Sequence, residues 1–152
     1  MDSKFKGNLG VSKSISCFIE NGYSIFIPFS DGTDQFDFIA SMDGILIKVE
    51  VKSVFTKYRN AYIAQLKSIR PNRSKNVIHP FDYRCCDILA TYIDPLDLIC
   101  FVDSYELRNN RSAVHFVESN SKYSSNTWII SHYVDLNNAV KSVLNRVSGG
   151  VC

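Results

Sequence analysis

One short segment of the chain sets acidic and basic side chains at the alternating spacing of a β-strand. Within residues 48–52, the side chains of Glu50 and Lys52 share one face, and the intervening valines point to the other. Asp37 lies upstream in a run of aromatic and branched residues. If Asp37 belongs to a neighbouring strand, two carboxylates and one ammonium group converge. Such a set can hold Mg²⁺ and activate water against a phosphodiester.

An ordinary half-exposed strand has the same pattern, and on the strand alone this alternative stays open. Asp37 favours the metal site, because a carboxylate in apolar surroundings is costly to bury unless a cation or hydrogen-bond donors meet it. The histidines are scattered and lack the spacing of a zinc site, so we interpret them as structural residues. They are His79, His115 and His132.

The length and composition are those of one soluble domain covering residues 1–152. Hydrophobic residues make up 45% and charged residues 21%, which is ordinary for a globular chain with a substantial core. A net charge of +2 is too small to indicate a polyanion partner by itself. We expect a core over residues 4–107, a C-terminal extension over 108–147 and a loose tail.

The middle of the chain is basic, with tyrosines among the basic residues. A stripe of this kind is typical of a surface that contacts nucleic-acid phosphates, although a solvated face has the same composition. The candidate contact residues are Lys57, Arg59, Arg70, Asn72, Arg73 and Lys75.

The five cysteines are odd in number and lack metal-ligand spacing. Cys17 and Cys100 lie in apolar contexts typical of buried free thiols, which suits a reducing compartment. The first ten residues contain no apolar signal core, and no window approaches the length of a membrane span. We therefore expect a cytoplasmic protein without a membrane partner.

Apolar periodicity and turn signals predict a helix followed by a three-stranded meander. The helix covers residues 4–21, and the Asp-Gly pair at 43–44 is a hairpin signal. Residues 57–66 fit either a strand or a short helix, and Asp135 can cap a last helix that continues through Arg146. The predicted strands are 23–29, 36–40, 45–54, 86–93, 98–102, 113–117 and 128–130.

Several motifs occur in order along residues 4–107. They are Lys6-Gly7-Asn8-Leu9-Gly10, Asn21-Gly22-Tyr23-Ser24-Ile25, Ile27-Pro28-Phe29-Ser30-Asp31, Asp37, Glu50-Val51-Lys52-Ser53 and Cys86-Asp87-Ile88-Leu89-Ala90. This ordering resembles the PD-(D/E)xK nuclease superfamily, and most closely the homing endonucleases carried by bacterial group I introns. The Gly-Tyr strand and the Pro-Phe-Ser-Asp turn make the resemblance more specific than a D…ExK triplet alone.

The resemblance implies an α/β fold with a mixed central sheet flanked by helices, as in restriction-endonuclease-like domains. It implies that Asp37 and Glu50 bind the metal through their carboxylates and that the carbonyl of Val51 adds a ligand. Lys52 would orient the attacking water or help to deprotonate it. The implied cofactor is Mg²⁺, for which Mn²⁺ can substitute.

The implied activity is site-specific cleavage of double-stranded DNA at an intron insertion site. Relatives commonly carry a glutamate directly after the helix glycine, where this chain has Val11. This departure keeps open a catalytically weakened DNA-binding protein. A structure-selective nuclease, such as a Holliday junction resolvase, shares the same core and is the other alternative.

A double-strand break requires two sites, so we expect a homo-oligomer, either a dimer or a larger assembly. Apolar residues of the C-terminal region are candidates for the interface, and the alternative is that they close the core of the monomer. These residues are Trp128, Ile129, Tyr133, Val140 and Leu144.

Overall fold

The structure is a computed structural model, and it describes residues 1–29, 35–70, 77–109, 112–119 and 127–149. The helices within these ranges are α1 (Ser3–Glu20) and α2 (Leu136–Gly149). The strands are β1 (Ser24–Phe26), β2 (Phe38–Met42), β3 (Ile45–Val54), β4 (Tyr62–Gln65), β5 (Ser68–Arg70), β6 (Val77–His79), β7 (Ile88–Ile93), β8 (Leu98–Asp103), β9 (Ala113–Val117) and β10 (Thr127–Ile129).

Helix α1 begins where a side chain caps its first turn. The carboxylate of Asp2 accepts a hydrogen bond from the Phe5 backbone N–H at 2.7 Å, which satisfies one of the donors that a helix start leaves unpaired. Gly22, with a φ of +90°, lies just beyond the helix and turns the chain toward β1. The predicted helix over 4–21 is confirmed to within one residue at each end.

The larger sheet has five strands in the order β1-β2-β3-β7-β8. Strands β1 to β3 form an antiparallel meander, and Asp43 and Gly44 close its second turn with φ angles of 51° and 79°. Both residues adopt the left-handed conformation that such a two-residue turn requires. Strand β3 then pairs in parallel with β7, and β8 returns antiparallel. The sheet is therefore mixed, which is the predicted architecture.

The two faces of this sheet are covered differently. On one face, α1 and α2 cover an apolar cluster that includes Phe18, Phe38 and Val51. On the other face, the smaller sheet β10-β9-β4 packs over a second apolar cluster that includes Val54, at the end of β3. The beginning of β3 stays open on this second face, where Leu46 is 63% exposed.

A partly buried ion pair attaches α2 to the larger sheet. Asp103, at the end of β8, is 3% exposed and accepts hydrogen bonds from Arg146 at 3.0 Å and from Ser142 at 2.8 Å. The Asp135 carboxylate accepts a hydrogen bond from the Asn137 N–H at 2.8 Å. The predicted helix cap is thus confirmed, and the last helix belongs to the same core as the larger sheet.

Several predicted elements differ from the structure in extent or type, and the strand predicted over 86–93 begins only at Ile88. The strand predicted over 23–29 is shorter, since β1 ends at Phe26 and Pro28 has no N–H to extend the ladder. The strand predicted from residue 36 begins at Phe38, because Asp37 departs from the register of β3. The ambiguous segment 57–66 contains β4.

The apolar residues expected at an oligomer interface lie mainly in the monomer core. Val140 and Leu144 pack in the cluster beneath the helices, and Trp128 and Tyr133 pack against the cluster beneath the smaller sheet. Ile129 is partly buried. Four of the five residues therefore close the core of a single chain.

Candidate active site

Asp37 lies directly before β2, where the backbone pairing with β3 is shifted by one residue. Its backbone N–H donates to the Val49 carbonyl at 2.8 Å, although Phe38 is the register partner of Val49. Two successive residues thus face a single residue of β3, as in a β-bulge, which re-aims the bulged side chain. The Oδ2 atom of Asp37 accepts a hydrogen bond from the Val51 N–H at 2.7 Å. The carboxylate is thereby fixed against the middle of β3.

Glu50 and Lys52 lie on the face of β3 that is opposite α1. Val51, between them, packs into the cluster beneath the helices, so strand alternation places its two neighbours on the other face. The Nζ atom of Lys52 lies 2.6 Å from Oε1 of Glu50, and only 21% and 17% of the two side chains are exposed. The structure therefore brings together the two charged groups that the spacing predicted.

Asp37, Glu50 and Lys52, hereafter the acidic cluster, influence one another electrostatically. Burial raises the pKa of the Glu50 carboxyl; the Lys52 ammonium opposes this rise, and the Asp37 carboxylate adds to it. Burial also raises the pKa of Asp37, against the lowering effects of the Val51 N–H and of Lys52. Both acids therefore hold their negative charge less readily than exposed carboxylates do.

This arrangement fits a divalent metal ion. The donors are carboxylate oxygens, which are hard ligands suited to such ions, and two partly buried acids are balanced by only one lysine in the cluster. The Val51 carbonyl points to the same edge of β3 as its N–H, which donates to Asp37. The groups that could hold the ion are thus the carboxylates of Asp37 and Glu50 and the carbonyl of Val51.

Within the described ranges, no group of three or more histidine, cysteine, aspartate or glutamate side chains could hold a metal ion. The predicted metal site does not conflict with this finding, because it combines two carboxylates with one backbone carbonyl. A zinc site built from the histidines has no support among these residues.

Two neighbours of the acidic cluster had no predicted role. Lys48 shares the face of Glu50 and is exposed, with its Nζ atom 5.9 Å from the centre of the Phe36 ring. Cys86 lies beside Glu50, where burial raises the pKa of its thiol and the charge of Glu50 raises it further. The thiol therefore stays neutral and is a poor nucleophile. Strand alternation could have identified Lys48, whereas no local pattern brings Cys86 to Glu50.

Val11 occupies the position where relatives commonly carry a glutamate. In the structure it packs against the apolar cluster beneath the helices. An aliphatic side chain offers no ligand to a metal ion, so the acidic cluster gains nothing from this position of α1.

The structure describes the side chains of two of the residues that were expected to contact DNA. Lys57 pairs with Glu118 at 2.6 Å, and Arg59 lies in a tight turn before β4. The other expected contacts lie outside the described residues; they are the side chain of Arg70 and the residues Asn72, Arg73 and Lys75.

The mixed sheet, with two acids and a lysine beside the bulge in β2, defines a nuclease core of the PD-(D/E)XK type. A sequence model of the PD-(D/E)XK endonuclease family matches residues 1–133. The chain belongs to this family, and it is an endonuclease. A comparison with curated protein sequences gave no match.

Among solved structures, the fold is similar to that of the bacterial homing endonuclease I-Ssp6803I. The TM-score is 0.77 at 22% sequence identity, and the match covers 99% of this chain and 98% of that chain. The restriction-endonuclease-like fold that the resemblance implied is thereby confirmed.

Family membership also defines the general chemistry. PD-(D/E)XK nucleases generally use divalent metal ions, in agreement with the oxygen donors of the acidic cluster, and the substrate of the family is DNA. In the parts of the chain that the structure describes, no helix combines the length and apolar character needed to cross a bilayer.

Proposed function

We propose that the protein is a cytoplasmic, site-specific, Mg²⁺-dependent DNA endonuclease that makes a double-strand break at an intron insertion site. The convergence of Asp37, Glu50 and Lys52 in one partly buried cluster carries the catalytic part of the proposal. The homing part is supported by similarity to a bacterial homing endonuclease over nearly the whole of both chains.

In this proposal, Asp37, Glu50 and the Val51 carbonyl hold the metal ion, and Mn²⁺ can replace Mg²⁺. When bound, the ion supplies Lewis-acid polarisation of the scissile phosphate and a lowered pKa for the attacking water. Lys52 presents an ammonium group that stabilises negative charge developing on the phosphate. The hydrogen bond from the Val51 N–H keeps the Asp37 carboxylate in place, so little reorganisation is needed.

The open face at the beginning of β3 suits the approach of a duplex. Lys48 is exposed on this face, two residues before Glu50, and forms no ion pair with the residues that the structure describes. Its charge is available for a phosphate near the cleaved one. The expected contacts from Arg70, Asn72, Arg73 and Lys75 remain part of this proposal.

Cleavage assays on defined DNA test the activity. A linear duplex that spans an intron insertion site should be cut in both strands with Mg²⁺ or Mn²⁺ and left intact in excess chelator. Ca²⁺ should support binding without appreciable turnover. Full activity in chelator would contradict the metal mechanism, and a preference for branched over linear DNA would favour the junction resolvase.

Substitutions in the acidic cluster test the assigned residues. Asp37→Ala, Glu50→Ala and Lys52→Ala should each slow single-turnover cleavage by about a hundredfold or more, because each removes a metal ligand or the charge-stabilising group. DNA binding should persist. Lys141→Ala, which removes an exposed lysine of α2, is the matched control and should cleave like the parent. A cluster variant that cleaves within a few-fold of the parent removes that residue from the site.

Val11 supports a second candidate, a DNA-binding relative with weakened catalysis. Because Val11 packs in the apolar cluster, α1 supplies no acid to the site at this position. Specific binding of the target duplex without cleavage, under conditions in which Mg²⁺ is saturating, would favour this candidate over the active endonuclease.

A further inference from the structure

The connection between β3 and β4, residues 55–61, contains a two-residue turn with an arginine in an unusual conformation. Tyr58 and Ala61 exchange two backbone hydrogen bonds, of 2.9 and 3.0 Å, around Arg59 and Asn60. The φ angle of Arg59 is +53°, in a region that a Cβ atom disfavours and that glycine, asparagine or aspartate usually occupies in such turns. The other non-glycine residues with positive φ in the described ranges are both aspartates. This outlier indicates a role for the arginine side chain.

Side-chain contacts hold the base of this turn. The Nζ atom of Lys57 and the hydroxyl of Tyr62 donate to the same carboxylate oxygen of Glu118, at 2.6 and 2.9 Å. The segments before and after the turn are therefore tied to the residue that follows β9. The guanidinium carbon of Arg59 lies 5.5 Å from the centre of the exposed Tyr58 ring. An exposed guanidinium group thus rests on an aromatic side chain at the tip of a braced turn.

The turn lies close enough to the acidic cluster to contact the same duplex. Arg59 follows Lys52 by seven residues, so their Cα atoms are at most about 25 Å apart. One helical turn of B-DNA is longer, at about 34 Å. Strand β4 belongs to the smaller sheet, which lies on the same face of the larger sheet as Glu50 and Lys52 and covers it near Val54, at the end of β3. A cleft of about 220 Å³, lined in part by Arg59, Ile63 and His115, adjoins the turn.

We propose that Arg59 reads a guanine in the major groove of the target DNA, an inference that rests on the proposed function. The planar guanidinium group of arginine donates two parallel hydrogen bonds to O6 and N7 of guanine. The major groove admits a two-stranded β-ribbon, so a tight turn between strands can enter it. Lys57, which is also among the expected DNA contacts, holds the turn through its ion pair with Glu118.

Selection from a library of randomised duplexes, with Ca²⁺ in place of Mg²⁺, tests this assignment. The parent should enrich a defined site. Arg59→Gly, which suits the positive φ, should fold with an unchanged or raised Tm and lose a guanine preference of about tenfold or more at one position of each half-site. Arg59→Lys keeps the charge but not the two parallel donors, so it should lose the same preference.

The outcomes separate this inference from the proposed function. Lys141→Gln, a charge change on the exposed side of α2, should retain every preference of the parent. Unchanged sequence preferences in both Arg59 variants would overturn the inference but not the proposed function. A phosphate contact would instead give a uniform loss of affinity in Arg59→Gly that Arg59→Lys restores, and that result would also overturn the inference. A parent chain that enriches no sequence would overturn the proposed function and the inference together.

Discussion

The surroundings of Asp37 and Glu50 disfavour the ionised form of both carboxyl groups. Burial raises the pKa of both acids, and the bulge at the start of β2 brings one toward the other. Perturbed acids of this kind concentrate at functional sites, because a purely structural core gains nothing from adjacent buried carboxylates. At the scale of the residue, the site is therefore destabilising in the absence of a cation.

Neutralising one acid should stabilise the metal-free protein while removing its activity. The folded state favours protonated Glu50, because the folded pKa lies above the unfolded one. The destabilisation is therefore absent below the unfolded pKa and grows as the pH rises through the folded pKa. We expect Glu50→Gln to have a higher Tm than the parent in chelator at neutral pH, with the difference vanishing near about pH 4.

Lys52→Met is the contrasting variant. It removes the positive charge that lowers the pKa of both acids, so its Tm in chelator should fall below that of the parent. Adding Mg²⁺ should raise the Tm of the parent and leave that of Glu50→Gln unchanged. Thermal unfolding from about pH 4 to about pH 8 measures both effects. A Glu50→Gln protein less stable than the parent at neutral pH would contradict the assignment.

The residues of the site were predictable from the sequence to different degrees. Alternation along β3 identifies Glu50 and Lys52, because a strand of period two needs no tertiary information. Asp37 was a candidate because it lies in an apolar run, but its approach to Glu50 depends on a bulge that no local pattern indicates. The positive φ angle of Arg59 could not be predicted from the sequence either, because tertiary contacts such as the Lys57–Glu118 pair fix that turn.

At the scale of the element, α1 lies directly against β3 because of one glycine. A Cβ atom at Gly10 would overlap the Oγ atom of Ser53 and would also approach the side chain of Tyr92. Ser53 is adjacent to Lys52, so this contact sets the distance between the helix and the strand that carries the acidic cluster. Gly10 is also the last residue of the first motif of the family resemblance. Its contact with Ser53 explains why that motif ends in a glycine.

Gly10→Ala should destabilise the protein although alanine is the better helix former. The Ser53 hydroxyl would have to rotate away, and the Cβ atom of Ser53, at 3.2 Å, would still be in tight contact; such overpacking typically costs about 1–3 kcal/mol. Gly7→Ala is the matched control on the same helix, since its Cβ would meet nothing within 4 Å, and it should stabilise by about 0.5–1 kcal/mol. Urea unfolding of both variants provides the comparison. Equal stabilisation by the two substitutions would show that the contact at Gly10 is not tight.

Local signals predicted some elements better than others. The Asp-Gly turn and the strand over 45–54 were predicted as observed, because turn chemistry and alternation agree there. The segment 57–66 stayed ambiguous, since β4 is stabilised by pairing with β9, about fifty residues later in the chain. Long-range pairing of this kind leaves little trace in a short window of sequence.

At the scale of the whole molecule, a double-strand break requires two acidic clusters, and the described residues of one chain contain one. The residues first expected at the interface are mostly in the core, whereas the edge of the larger sheet is apolar and exposed. Phe26, the last residue of the edge strand β1, and Ile27, which follows it, are 57% and 69% exposed, and residues 21–29 carry no charge. Exposed apolar edges of this kind commonly mark interfaces.

We predict a dimer in which two copies of β1 pair across a two-fold axis. Five strand spacings then separate the two β3 strands, which places the acidic clusters about 24 Å apart, within one turn of a duplex. The double variant Phe26→Asp/Ile27→Asp should sediment as a monomer in sedimentation velocity. It should nick one strand of the duplex without making a double-strand break. Val147→Asp, at an apolar position of α2 that is 64% exposed, is the control and should remain dimeric. The assembly would be refuted if the parent chain sediments as a monomer, both free and on DNA, and still cuts both strands efficiently. If only the control Val147→Asp dissociates the dimer, the interface lies on α2.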